Sequence, residues 1–537
     1  MVSSQFLCRD ILSKVSEHLE PGSVPHFDEF PAIVAERQLR QYTLAVSARV
    51  CSSFTAPALD VLWRDMFDFN NLLCLFPTYS SAECGFVGAI AEKEWQRFQA
   101  YASRIRSING NFGKNPGSPS QEPVWMVLLQ RSHGSPLFPR LEFLTINGSL
   151  GGLMSLLAPT VHNLNVYLPL PSANARAANL LTDTLRPHLS HVKTLVINEY
   201  APNASGPRRG ISIPKSIDIC ALTHLEYLDV VYPVIVRRPM LQAFMTFPNL
   251  RFLCLTFEFC ENERASLAAT NFAPGFFELR SLDLTASYND LALFLEVTNP
   301  PQFETLVLAR ELERGDDPEL GDLPQVYAKI PPLLRCLNLR FYVPPGDSDA
   351  PDDRYTDPLL TPLRVIPPSL HALHNLREVL VRFQNISCPL ENDDLAALYT
   401  AWPALERFEY NSVLYYDDDP SRLPTLRTLF AFARAHPRLS RLSLPGISPD
   451  GIPDSIDALN AGLLRDWPGH ELRLFRLKTY LMGTRLVSLA RAVDRAFPAL
   501  DLGPVRASKI ESDGHPTDLL SLSLLAFQMS RKFGTTV

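Results

Sequence analysis

None of the nine cysteines (Cys8, Cys51, Cys74, Cys84, Cys220, Cys254, Cys260, Cys336 and Cys388) stands at Cys-x-x-Cys spacing from another, and their number is odd. The pattern argues against a cysteine zinc module and a disulfide framework, and fits a reduced compartment. A basic excess is missing as well. With 50 Lys and Arg against 57 Asp and Glu, the net charge of −7 does not suit a nucleic-acid partner. The start, MVSSQFLCRDIL, has no cationic lead and meets Arg9 and Asp10 too early for a secretory signal, so a cytoplasmic or nuclear location is expected. The one long stretch without Asp, Glu, Lys or Arg, Phe143 to Ala175, contains Asn147, Pro159, His162, Asn163, Asn165, Pro169 and Pro171. Those groups are costly in hydrocarbon, so no membrane span is expected.

Catalytic signatures are missing too. There is no Gly-x-Ser-x-Gly elbow, no His-Glu-x-x-His helix, no kinase signature set and no dinucleotide-binding Gly-x-Gly-x-x-Gly after a strand. GNFGKNPGSPS has only two residues between Gly110 and Gly113, and Asn115 follows Lys114, so it is not a phosphate loop. His371 and His374 in LHALHNL read as a polar helix face, and Asp417 to Asp419 read as a solvated loop. The Asp-rich PPGDSDAPDDRYTDPLLTP lacks the spaced ligands of a calcium loop and reads as an insertion, as does YAPNASGPRRGISIPKS. The expectation is a non-enzyme with no cofactor and no metal.

What the chain has in abundance is one recurring stretch. In FPNLRFLCLTFE the residues Leu250, Leu253 and Leu255 are spaced by three and then two, and the final Leu-x-Leu alternates as a half-buried strand does. Apolar-x-x-apolar-x-apolar returns at Leu141, Val161, Val192, Leu225, Leu250, Leu279, Phe303, Leu334, Leu376, Leu405, Leu439, Leu472 and Phe497, a mean period of about 30 residues. Several gaps hold a helix-like run ending in proline: MLQAFMTFP, DLAALYTAWP, LFAFARAHP, LNAGLLRDWP and LVSLARAVDRAFP. Proline cannot continue a helix ladder, so each unit reads helix, proline turn, strand. One such unit cannot bury its own apolar face, whereas stacked units share a core between a parallel sheet and outer helices.

This pattern resembles the leucine-rich repeat family over roughly Leu141 to Leu502, although the family's Asn or Cys eight residues after the first Leu is absent from every unit. The fold class expected is therefore α/β, an irregular leucine-rich-repeat-like solenoid of parallel strands and outer helices. Leu253 and Leu255 should be buried, with Phe252, Cys254 and Thr256 pointing the other way.

The first seventy residues read differently. RDILSKVSEHL carries Ile11, Val15 and Leu19 at i+4 steps with Leu12 beside them, as one stripe of a helix. LAVSARVCSSF carries Leu44, Ala48 and Cys51 on a second stripe, with Val50 and Phe54 adjacent, and FPAIVAERQLRQYT can lengthen that helix backwards. TAPALDVLWRDM starts with Thr55 as cap and Pro57 in the first turn, then sets Leu59, Leu62, Trp63 and Met66 on one face. So small a bundle exposes apolar surface unless it meets a partner or caps the array. FLCRDILSKVSEHL followed by LAVSARVCSSFTAPALDVLW resembles the F-box, an apolar first helix ahead of a Val-Cys-x-x-aromatic element and a closing Leu-Trp.

That resemblance implies docking on a Skp-type adaptor within a cullin ubiquitin ligase, through Leu7, Ile11, Leu12, Val15, Leu19, Leu44, Val50, Cys51, Phe54, Leu59, Leu62 and Trp63. The expected division is an F-box-like helical domain at 1–66, a helical bridge at 67–138, the solenoid at 139–505 and a C-terminal tail or cap at 506–537. In this reading the chain is the non-catalytic substrate-recognition subunit, and its repeats bind the target. The other reading is an inhibitor-like repeat scaffold whose N-terminal helices only cap the solenoid. Between the strand anchors the later units offer Arg340, Arg382, Arg407, Arg441, Arg476 and Lys478 on the outward face, suited to an acidic or phosphorylated target segment.

Overall fold

A computed structural model describes residues 2–20, 31–111, 122–147, 155–168, 190–199, 222–270, 272–311, 323–342, 366–384, 388, 390–412, 423–452, 462, 464, 467, 469–477, 484–501 and 516–533. The chain forms two compact units, Met1–Phe252 and Leu253–Val537.

The first unit opens with three helices, α1 (Val2–His18), α2 (Pro31–Ser47) and α3 (Ser52–Leu62). As expected, the second begins well upstream of Leu44. The third departs from expectation. Its cap is Cys51 in an extended conformation, and Thr55 and Pro57 lie inside the helix. The Thr55 hydroxyl instead donates back to the carbonyls of Ala48 (2.8 Å) and Cys51 (3.1 Å), closing the tight link from α2. Strand β1 (Asp65–Met66) follows directly, and a small antiparallel pair, β2 (Tyr79–Ser80) with β3 (Gly85–Phe86), precedes helix Glu92–Ala102.

The parallel sheet of this unit runs β1, β4 (Ser107–Asn111), β5 (Phe143–Asn147), β6 (Asn163–Leu168), β7 (Thr194–Glu199) and β8 (Tyr227–Val236) in that order. Strand β4 ends the helix read in KEWQRFQAYASRIRSI early, and the segment 67–138 holds strands β2, β3 and β4 beside its helices. The helix stops at Ala102, and Ile105 and Ile108, both fully buried, anchor one more rung. This rung ends its apolar series in Gly110, so it departs from the apolar-x-x-apolar-x-apolar pattern of the others.

In the second unit β9 (Phe252–Phe259), β10 (Ser281–Thr285), β11 (Thr305–Glu311), β12 (Cys336–Tyr342), β13 (Glu378–Gln384), β14 (Arg407–Asn411), β15 (Arg441–Leu444) and β16 (Leu474–Leu477) again lie in sequence order. From β10 to β16 every neighbouring pair is parallel. Twelve of the thirteen predicted starts thus lead into a strand. At the thirteenth, Phe497 to Asp501 are not a strand and the following residues lie outside the described ones, as does most of LNAGLLRDWP.

Register explains the leucines. Leu282, Leu306, Leu337, Val379, Phe408, Leu442 and Phe475 stand side by side across β10–β16, and Leu144, Leu164, Leu195 and Leu228 do so across β5–β8. Leu253 and Leu255 are fully buried while Phe252, Cys254 and Thr256 are half-exposed, as the alternation predicted. Helices cover this leucine face: Phe294 of helix Tyr288–Thr298 meets Phe257 at 5.3 Å, and Phe432 of helix Leu426–Ala435 meets Phe408 at 5.3 Å.

Just before each strand the chain repeats one hydrogen-bond device. The Glu304 carbonyl accepts from the N–H groups of Arg335 and Cys336, that of Arg335 from Arg377 and Glu378, and that of Arg377 from Glu406 and Arg407. The same positions carry a self-neutralising charge ladder, Arg106–Glu142, Lys193–Glu226, Arg335–Glu304 and Arg377–Glu406. Among the described residues no helix is long and apolar enough to cross a membrane.

Candidate functional site

Two surfaces carry the residues singled out from the sequence, one in each unit. At the helical start, Leu44 of α2 and Ala58 and Val61 of α3 make a small buried cluster, and Leu19, Ala48 and Leu62 pack against it. Leu12 is buried as well, so Leu12 and Leu44 build the core instead of a face. The stripe read on the first helix therefore splits. Leu12, Ser16 and Leu19 turn inward, whereas Ile11 and Val15 remain 56% and 48% exposed. Val50, in the turn between α2 and α3, is 66% exposed, with Cys51 exposed beside it. Phe54 and Leu59 are half-buried. Leu7 lies on α1, but its side chain is outside the described residues.

Trp63 is half-buried. Its ring lies 4.7 Å from that of Tyr101, and Arg104 bonds the Ala56 carbonyl (3.2 Å) and pairs with Asp60, so helix Glu92–Ala102 holds the far side of α3. Sequence reasoning missed a further apolar stripe. Leu39, Tyr42 and Val46 recur at helical spacing on the side of α2 away from Leu44 and Ala48, and all are exposed. Their signal was present in RQLRQYTLAV, masked by the polar residues between them.

The second surface is the outward face of β12–β16. Parallel register sets Arg340 beside Arg382 and Arg407 beside Arg441, with Arg476 beside Ser443 at an intermediate level. Because all of them sit an even number of residues from one another across the ladder, they share one face. Lys478 lies outside the described residues.

Three of these arginines have carboxylate partners. Arg407 donates from Nε (2.8 Å) and lies 2.6 Å through its Nη2 from Glu409 Oε1, with Glu378 at 3.4 Å. Arg382 reaches Glu409 at 3.7 Å only, and Arg340 reaches Asp283 of β10 at 3.4 Å, both looser contacts. Asp283 was absent from the sequence reading because it precedes Arg340 by two strands. Arg441 and Arg476 are exposed, and among the described residues neither has an ion pair. Two polar atoms of β12 on this face, Asn338 Oδ1 and Arg340 Nε, are buried without a hydrogen-bond partner among the described residues. The alternation expected of a half-buried strand fails here, since Asn338, Leu380, Glu409 and Ser443 are buried on the outward side under the long arginines around them.

Elsewhere the chemistry is that of a core. His371 and His436 are pushed below the usual imidazole range by burial, and the Cys388 thiol is pushed up to about 12 for the same reason. No group of His, Cys, Asp and Glu among the described residues is arranged to hold a metal ion. No protein-family model matches the chain, and no curated protein matches it either.

Proposed function

We propose that the chain is the substrate-recognition subunit of a Skp/cullin-type ubiquitin ligase, with α1–α3 docking on a Skp-type adaptor and the repeats holding the protein to be ubiquitinated. The observation that carries this reading is the exposure of Ile11, Val15 and Val50 on a helical trio whose own core is little more than Leu44, Ala58 and Val61. Apolar surface on so small a bundle marks a docking face. The subunit breaks no bond. It raises the effective concentration of the target near the ligase's transfer machinery.

The test is co-purification of the full chain with a Skp-type adaptor, compared with a Val15→Asp/Val50→Asp variant. Both side chains are exposed, so thermal unfolding should stay within about 0.5 kcal/mol of the parent, while adaptor binding is lost. Leu62 and Trp63 are poorer test sites, because one packs on the cluster and the other on Tyr101. Failure to capture the adaptor, or capture unchanged by the double substitution, overturns the proposal.

One observation favours the second reading, in which these helices only cap the array. The contacts of Trp63 with Tyr101 and of Arg104 with Asp60 and Ala56 tie α3 to helix Glu92–Ala102. That reading stands if no adaptor binds and removal of α1–α3 lowers the unfolding temperature of what remains.

A further inference from the structure

Two rows of charges run along this chain. In the row just before the strands Arg335 pairs with Glu304 and Arg377 with Glu406, each across one rung, although Arg335 and Arg377 themselves stand on successive rungs. Each of these two cations has an exposed carboxylate of its own on the neighbouring rung. On the outward face of β12–β16 the cations outnumber their partners. Among the described residues Arg340, Arg382 and Arg407 meet Glu378 and Glu409 on these strands and Asp283 on β10, and Arg441 and Arg476 have no ion pair. Neighbouring parallel strands are about 5 Å apart, so the side-by-side pairs Arg340/Arg382 and Arg407/Arg441 repel unless anionic groups lie against them.

The partners already present do not saturate the stripe. Glu409 is engaged closely by Arg407 and only distantly, at 3.7 Å, by Arg382. Arg340 keeps one buried Nε donor unfilled, next to the unfilled acceptor Asn338 Oδ1. Both atoms are buried beneath the arginine side chains, so the surface a ligand meets is that of the guanidinium groups above them. Spread argues for an extended ligand. Four residues separate the levels of Arg340 and Cys336, the latter in register with the level of Arg407 and Arg441, so the cations cover about 13 Å along the strands and about 19 Å across them. A single phosphate spans neither distance.

We infer that this face binds an acidic polypeptide segment, lying across β12–β16, whose carboxylates meet Arg340 with Arg382 at one level and Arg441 at the other, with Arg476 between the two levels. The inference rests on reading the sheet face as the target-holding surface, and it does not depend on the adaptor. Glu409 and Glu378 then act as internal competitors that keep the stripe occupied until a segment of higher charge displaces them.

The experiment uses the full chain and a fluorescein-labelled sixteen-residue peptide of alternating Glu and Gly, read by anisotropy. Peptides of the same length with Gln in place of Glu, and free inorganic phosphate as competitor, are the comparison arms. The acidic peptide should bind, the Gln peptide should not, and phosphate should compete only weakly. Arg382→Gln with Arg441→Gln should weaken binding about tenfold, in line with two surface pairs. Glu409→Gln should tighten it, Arg335→Gln in the self-neutralising ladder should leave it within twofold, and raising salt should weaken it steeply. Equal binding of the Gln peptide, an unchanged affinity in the double variant, or an equal loss in Arg335→Gln overturns the inference. Full displacement by millimolar phosphate replaces the extended segment with a single-anion site and overturns it too. A chain that binds the peptide but captures no adaptor leaves this inference intact and removes only the ligase reading.

Discussion

Removing the guanidinium of Arg264 should destabilise the second unit more than removing the charge of its partner, Asp290. Asp290 is 1% exposed at the first turn of helix Tyr288–Thr298, and Arg264 of helix Glu261–Ala268 grips it with both arms of its fork, Nε to Oδ1 at 2.9 Å and Nη2 to Oδ2 at 3.0 Å. The Phe259 N–H adds a longer bond to Oδ2 at 3.4 Å, and the Asp290 N–H donates to the Ser287 hydroxyl at 3.2 Å, capping the helix. Arg264→Met keeps most of the side-chain volume but leaves a buried carboxylate with one long hydrogen bond. Breaking a buried pair from one side costs about 3 to 5 kcal/mol. The arginine is 41% exposed, so water partly replaces it and the lower end, about 3 kcal/mol, is expected.

Asp290→Asn is the milder change. It keeps an acceptor for Phe259 and leaves behind an arginine that can turn to solvent, for a loss of about 1 to 2 kcal/mol. Together the two substitutions should be less damaging than their sum, because each removes the group the other strands. The assay is thermal unfolding followed by circular dichroism. At roughly 2 °C per kcal/mol for a unit of this size, Arg264→Met should lower the midpoint by about 6 °C and Asp290→Asn by about 3 °C. A smaller shift for Arg264→Met than for Asp290→Asn refutes the assignment of a buried, singly compensated charge.

Acid should weaken the later rungs. His436 is fully buried with Nδ1 on the Phe432 carbonyl (2.9 Å) and Nε2 without a partner among the described residues, and burial holds its pKa below 6.5. Below 6.5 the unfolded chain therefore takes up the proton that the folded one refuses, so stability is fully present above that value and falls as pH drops toward the folded pKa. The unfolding midpoint should decline from pH 7.5 to 5.5, and His436→Phe should flatten that decline; a flat parent profile counts against it. Among the cysteines, Cys388 is buried, accepts from the Tyr410 hydroxyl at 2.9 Å and has its thiol pushed up to about 12, so iodoacetamide at pH 8 should spare it until the chain unfolds. Exposed Cys51 and Cys74 should react at once, and early labelling of Cys388 in native protein would show that β14 does not pack as described.

The sheet was legible because its signal is local. Each strand states its inward residues within six positions, and in several units a proline before it marks where the helix ends, so Leu250, Leu253 and Leu255 identify a rung without any knowledge of its neighbours. The rung at Ile105 and Ile108 escaped because glycine stands where the third apolar residue belongs. The helical start was legible in its elements but not in its faces. Ile11 and Leu12 are equally apolar, and only the approach of α3 decides that one is exposed and the other buried. The outward stripe was legible as a list of arginines. Its balance was not, since the pairing of Arg340 with Asp283 bridges two strands and 57 residues of sequence.

Position along the fold gives these charges their meaning. The leucine face is constrained at every rung, because a gap there removes contacts from the strands on both sides at once. The outward face has no such duty, and Thr or Val at those positions would favour a strand more than arginine does. Placing Arg407 beside Arg441 at strand spacing sets two like charges about 5 Å apart, a repulsion of about 0.8 kcal/mol in water and several times that near a protein surface. Glu378 and Glu409 offset part of it around Arg407, yet among the described residues Arg441 has no carboxylate of its own. The arginine stems cover Asn338, Leu380, Glu409 and Ser443, a packing role that a shorter uncharged side chain could not fill, while their like charges at strand spacing cost stability that the acidic segment proposed above would recover.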